Sequence, residues 1–181
     1  MNDHKIIESL GTITDAVFQI LMEEDFHKSC IHGSATLTQV LKKTGYPKAY
    51  LLSVKVNIFN LAFKEFVDQH GPPTDDASRN ALADFGGAVI TIGNVSEADL
   101  TDDIWNGHLV VVIPHAFGPR HAVFDPTIIQ ANKPEWNIDI QQPIIFVTDD
   151  VFVSGKRIHN IDIAGTYLGY KAFPDDVSYN D

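Results

Sequence analysis

The chain of 181 residues carries 13 Lys and Arg against 24 Asp and Glu, a formal net charge of −11. That balance argues against a general nucleic-acid binder, because phosphate contacts need clustered cations. With 44% hydrophobic and 20% charged residues, the composition is that of one globular domain spanning 1–181, able to bury a core without covalent staples. Its single cysteine, Cys30, excludes an internal disulfide framework and a multi-thiolate zinc site, and fits a reducing compartment.

Residues 3–24 place Ile6, Ile7, Leu10, Ile13, Val17, Ile20 and Leu21 at helical spacing, with Gly11 as a point of interruption. No basic region precedes an apolar stretch there, and no apolar run approaches the ~20 residues of a spanning helix. The expected address is therefore cytoplasmic, with no membrane partner. A second amphipathic helix is expected over 29–43, carrying Ile31, Ala35, Leu37, Val40 and Leu41 and stopped by Thr44-Gly45-Tyr46-Pro47. A strand rich in β-branched residues should run from Ala49 to about Ile58, and QHGPPTDDAS (69–78) reads as a turn-rich loop.

Residues 86–92 suit a short strand or a turn leading to one, and EADLTDDIW (97–105) a short acidic helix or loop. Next come apolar strands over 108–114 and 121–125, with 115–120 as their hairpin connection. Residues 144–147 and 151–153 should continue the sheet around a tight Asp149-Asp150 connection, and the tail after Phe173 is polar and loose. Helices first and antiparallel strands after them point to α+β rather than a doubly wound parallel sheet. Nothing in the pattern speaks to oligomeric state.

A lone cysteine is ordinarily a buried, inert side chain. Cys30 differs because it opens a helix, where the dipole favours a thiolate and free backbone N–H groups can hold an oxyanion. His108 opens one apolar strand and Asp125 closes the next. The midpoint of 108 and 125 is 116.5, inside the expected hairpin connection. The two should therefore stand side by side, with Cβ atoms within ~5.5 Å. Cys30, His108 and Asp125 are thus a candidate nucleophile, a general base and acid, and an orienting carboxylate.

The rivals are weaker. His121 lies four residues before Asp125, about 13 Å away along a strand at ~3.3 Å per residue. His32 is two residues past Cys30 and faces away from it on a helix. Cys30 and His32 match no common metal-ligand spacing, so neither a metal nor another cofactor is expected. Trp105 and Asn106 read as loop residues, and His115 and His159 as surface or loop residues.

Taken in order, Cys30 at a helix start, the Gly45-Tyr46-Pro47 turn, the Tyr50–Val56 strand, His108-Leu109-Val110-Val111-Val112 and Asp125-Pro126-Thr127 resemble the transglutaminase-like cysteine enzymes of the papain-like fold. The His-Leu strand start is also similar to that of the arylamine N-acetyltransferases. The resemblance covers roughly 28–128. It implies a papain-like arrangement of N-terminal helices packed on an antiparallel sheet. It also implies a Cys–His–Asp thiol hydrolase or acyltransferase that passes an acyl group through a thioester.

Two departures narrow it. Leu109 stands where the transglutaminase type has an aromatic residue, and Asp25-Phe26-His27-Lys28-Ser29 replaces the Arg- and Gly-rich lead-in of the acetyltransferases. Peptide or small amide and ester substrates are therefore expected over arylamines. The Cys30 backbone N–H, His27 and Lys28 are the candidates for the oxyanion donor. The alternative expectation is a binding or partner-recognition protein that keeps the fold without turnover.

Overall fold

The computed structural model describes residues 3–24, 30–93 and 107–176, with side chains from Ile7 onward. The expectations placed on 97–105, on Trp105 and Asn106, on His27 and Lys28 and on the last five residues lie outside the described residues.

Helices α1 (Asp3–Glu23) and α2 (Cys30–Lys43) come first, followed by strand β1 (Tyr50–Asn60) and helices α3 (Leu61–His70) and α4 (Asp76–Asp84). Strands β2 (Val89–Ile92), β3 (His108–Phe117) and β4 (Arg120–Asp125) lead to two short 3₁₀ turns, Ile128–Ala131 and Pro134–Trp136. The chain then forms β5 (Ile144–Thr148), the single helical turn α5 (Asp150–Val153), β6 (Ile158–Ile163) and β7 (Thr166–Phe173).

The described strands form one antiparallel sheet in the order β5-β4-β3-β1-β7-β6. β1 pairs with β3 along Tyr50–Val54 and with β2 along Val56–Phe59, so β2 continues the place that β3 leaves. Strand alternation sorts the apolar residues into two cores. Val111, Ile113, Ala122 and Phe124 face Leu10, Val17 and Leu21 of α1 and Leu37 and Leu41 of α2. Val54, Val56, Val110, Val112, Val123, Leu168 and Tyr170 face the opposite way.

Around that second core the sheet curls until its edges meet. Phe146 of β5 and His159 of β6 stack with ring centroids 4.4 Å apart and planes 16° apart, and Phe152 of α5 packs on both at 5.7 and 5.8 Å. The result is an α+β fold with an antiparallel, nearly closed, barrel-like sheet.

Several local expectations are corrected. α1 runs through Gly11 without a break, since Leu10, Val17 and Leu21 anchor it to the sheet on both sides of that glycine. Residues 69–78 are only partly loop: α3 reaches His70, and Asp75 caps α4 by accepting from the Ser78 N–H while Ser78 pairs back to the cap. Residues 151–153 are helical rather than extended, because the Asp149 carboxylate accepts from the N–H groups of Val151 and Phe152. His159 is on a strand and stacked, not in a loop. Past Phe173 the chain is tied as far as Asp176, which accepts from Ser53 Oγ at 2.6 Å.

Candidate active site

α2 is held against the sheet by two small residues. A Cβ on Gly33 would lie 2.4 Å from Thr127 Cγ2, so only glycine lets the helix come this close to the Asp125-Pro126-Thr127 segment. Beside it, buried Ser34 donates from Oγ to the Leu109 carbonyl at 2.7 Å, fastening the second turn of α2 to β3 one residue past His108. Cys30, half-buried, is the first residue of α2.

His108 and Asp125 are both fully buried, and His108 Nε2 lies 2.8 Å from Asp125 Oδ2. They meet as diagonal rather than directly opposed partners. β3 pairs Val111 with Phe124 and Ile113 with Ala122, which places Val110 opposite Asp125 and His108 one pleat further along. The turn is centred two residues later than the expected 116.5 and alone would set Asp125 opposite Val112. An irregularity between Ile113 and Phe117, where three β3 residues stand against one β4 residue and His115 takes a φ of 56°, recovers two residues of that offset. An offset of two residues keeps a side chain on its own face, whereas an offset of one would have turned it away. The hairpin turn itself is only Gly118-Pro119.

Asp125 accepts two further hydrogen bonds, from Tyr170 Oη to Oδ2 at 3.0 Å and from the Thr127 N–H to Oδ1 at 3.3 Å. Tyr170 reaches it because β1 pairs Val54 with His108 and Val56 with Tyr170, placing both rings on one face. Burial and the Asp125 charge push the Tyr170 phenol well above its ordinary pKa, so it remains a donor. Burial disfavours the imidazolium of His108, but the Asp125 carboxylate outweighs it. With a smaller contribution from the nearby Cys30 sulfur, the ring is raised to about 10.

The other ring nitrogen, Nδ1, lies 3.1 Å from Gln130 Nε2. Gln130 stands on the 3₁₀ turn that follows Asp125-Pro126-Thr127, its backbone N–H donating to the Thr127 carbonyl. The Cys30 thiol donates to the Gly107 carbonyl at 3.7 Å. The three expected residues therefore share one site, with the Cys30 sulfur near enough to His108 to help raise its pKa. Gln130, Tyr170, Gly33 and Ser34 are the parts that sequence pattern did not single out.

The rival His121 is engaged elsewhere. His121 holds Asp150 Oδ1 from Nε2 at 2.8 Å and accepts the His115 N–H at Nδ1. No group of three or more His, Cys, Asp or Glu suited to a metal ion occurs among the described residues. No protein-family model matches this chain, and no curated protein or solved structure matches it significantly.

Proposed function

We propose that this protein is a cysteine-nucleophile hydrolase or acyltransferase of transglutaminase-like, papain-like type, acting on an amide or peptide-type bond. The supporting observation is the fully buried His108–Asp125 pair at 2.8 Å, which lies beside the first residue of α2. Bonded to Asp125 through Nε2–H, the ring turns Nδ1 toward the half-buried side of the site, where Cys30 and Gln130 lie. A general base for a thiol needs that tautomer.

In the proposed cycle the Cys30 proton passes to Nδ1 and the sulfur attacks the carbonyl carbon of the substrate. The imidazolium then protonates the leaving amine, and water or an acceptor amine cleaves the thioester. The helix start supplies backbone N–H groups for the oxyanion. Asp125 holds the ring throughout, with Tyr170 and the Thr127 N–H holding Asp125.

A second reading, a binding protein without turnover, is favoured by one observation: the Cys30 thiol donates to the Gly107 carbonyl. Iodoacetamide separates the two. The catalytic reading expects wild-type Cys30 to alkylate readily at pH 6, and His108→Gln to slow it by about tenfold or more. Equal, slow rates in both proteins would leave the binding reading.

A further inference from the structure

Away from Cys30, His108 and Asp125, a cleft of about 430 Å³ opens between α3 and the outer face of the sheet, where β1, β7 and β6 run together. Its volume suits a small molecule, since ligand sites ordinarily span about 300–1,000 Å³. We propose that this cleft is a binding site for a small organic cation with an aromatic body, an arylalkylammonium. The cleft shares no residue with the thiol–imidazole centre, so the two sites can be tested apart.

Strand alternation builds its walls. Ile58 and Leu168 belong to the inner core, with Ile161 packed against it. Their neighbours Phe59, Tyr167 and Asp162 therefore lie on the outer face. The pairings of Tyr167 with Phe59 and with Asp162 set these three in one row across β1, β7 and β6. The next row is Asn57, Gly169 and Asn160, in which Gly169 contributes no side chain to that face. Asn60 caps α3 by accepting the Phe63 N–H, so the helix rises directly from the end of β1. It presents Phe63, Lys64 and Asp68 to the cleft. Phe59 is held between two rings, with centroids 5.1 Å from Phe63 and 5.5 Å from Tyr167, the second pair only 13° from parallel. All three rings are half-buried, so each keeps some accessible surface.

The molecule already shows which charge these walls accept. Lys64 Nζ sits 6.0 Å from the centroid of the Tyr167 ring, within the range where an aromatic face attracts a cation. The same ammonium is ion-paired with Asp68, and the two side chains are 44% and 59% exposed, so the pair can open into water. An entering cation takes the place of Lys64 over the ring. A second carboxylate awaits it: Asp162 accepts the Gly165 N–H at Oδ1, and its Oδ2 has no partner among the described residues. Asp68 and Asp162 against Lys64 alone leave the lining with one negative charge in excess. The chain's net charge of −11 adds a field that draws cations. An anion meets the negative ring faces and both carboxylates, and a neutral molecule gains nothing from either.

The test titrates the full chain with benzyltrimethylammonium, using phenylacetate and benzyl alcohol as its anionic and neutral counterparts, and follows the backbone amide resonances of α3, β6 and β7. The cation should bind with a Kd on the order of 1 mM, about fivefold or more tighter than either counterpart. Tyr167→Leu and Asp162→Asn should each weaken it about two- to fivefold. Lys64→Met should tighten it by a similar factor, because the internal cation no longer competes for the ring and for Asp68. If Tyr167→Leu fails to fold, the two exposed-site variants decide the matter. Phenylacetate or benzyl alcohol binding as tightly as the cation overturns the assignment. So does an unchanged Kd in folded Tyr167→Leu or in Asp162→Asn, weaker binding in Lys64→Met, or resonance shifts confined to other elements.

Discussion

Replacing Asp125 by asparagine isolates the charge at the centre of the site while keeping its shape. The carboxylate accepts from His108 Nε2, Tyr170 Oη and the Thr127 N–H. An amide offers one oxygen and one NH₂ group, so either orientation sets a donor against a donor. The Thr127 N–H cannot invert, whereas the tyrosine hydroxyl can rotate and the histidine can change tautomer. The oxygen therefore stays with Thr127, and His108 is driven to carry its proton on Nδ1.

Removing one charge of a buried pair costs about 3–5 kcal/mol. The pH dependence has a definite sign. The folded-state pKa of His108 is raised from 6.5 to about 10, which is worth on the order of 5 kcal/mol. A raised histidine stabilises fully below the unfolded value of 6.5 and loses that contribution as pH climbs through about 10. In Asp125→Asn burial acts without the carboxylate and the ring is neutral, so this window disappears. Urea unfolding of both proteins at pH 6.5, 8 and 10, in a Cys30→Ala background that removes the thiol titration, measures the difference. The gap between them should be widest at pH 6.5 and narrow by several kcal/mol by pH 10. A gap independent of pH would mean that Asp125 does not hold a charged His108 in the folded protein.

Three other substitutions probe the surroundings. Gly33→Ala places a Cβ 2.4 Å from Thr127 Cγ2 and should destabilise by about 1–3 kcal/mol while slowing Cys30 alkylation; an unshifted urea midpoint would contradict the close approach of α2. Tyr170→Phe removes a hydrogen bond to a buried carboxylate and should cost about 1.5–3 kcal/mol, read by the same unfolding assay; a loss near zero would mean that Tyr170 does not hold Asp125. Phe146→Ala should cost about 3–5 kcal/mol by opening the contact between the sheet edges. Amide exchange in β5 and β6 should then rise together, and a rise confined to β5 would count against the closure.

The readable parts of this fold are those encoded by local periodicity. Leu37, Val40 and Leu41 repeat at helical spacing and yield α2, and the apolar run from Leu109 to Ile113 yields β3. Hidden parts depend on partners distant in sequence. Tyr170 lies 45 residues from Asp125 and reaches it only through the long-range pairing of β1 with β7, which no local turn signal announces. Hairpin arithmetic placed His108 and Asp125 together but assumed an unbroken ladder. The turn falls at Gly118-Pro119 instead, which offsets the pair by four residues; the irregularity at His115 restores two of them, and parity keeps the pair on one face. Gly33 and Ser34 sit inside an ordinary helix, and only the packing of that helix shows why they are small. For Gln130 the signal lies in the short segment after Asp125-Pro126-Thr127, which enters the 3₁₀ turn Ile128–Ala131 and returns the Gln130 amide to 3.1 Å from His108 Nδ1.

The most direct test of the central claim, that Cys30 carries an acyl group with His108 as its base, is intact-mass spectrometry after brief exposure to p-nitrophenyl acetate. The account predicts a single acetyl group on Cys30, removable by hydroxylamine, absent in Cys30→Ala and strongly reduced in His108→Gln. No adduct on the wild-type protein, or an adduct formed equally well without His108, would contradict it.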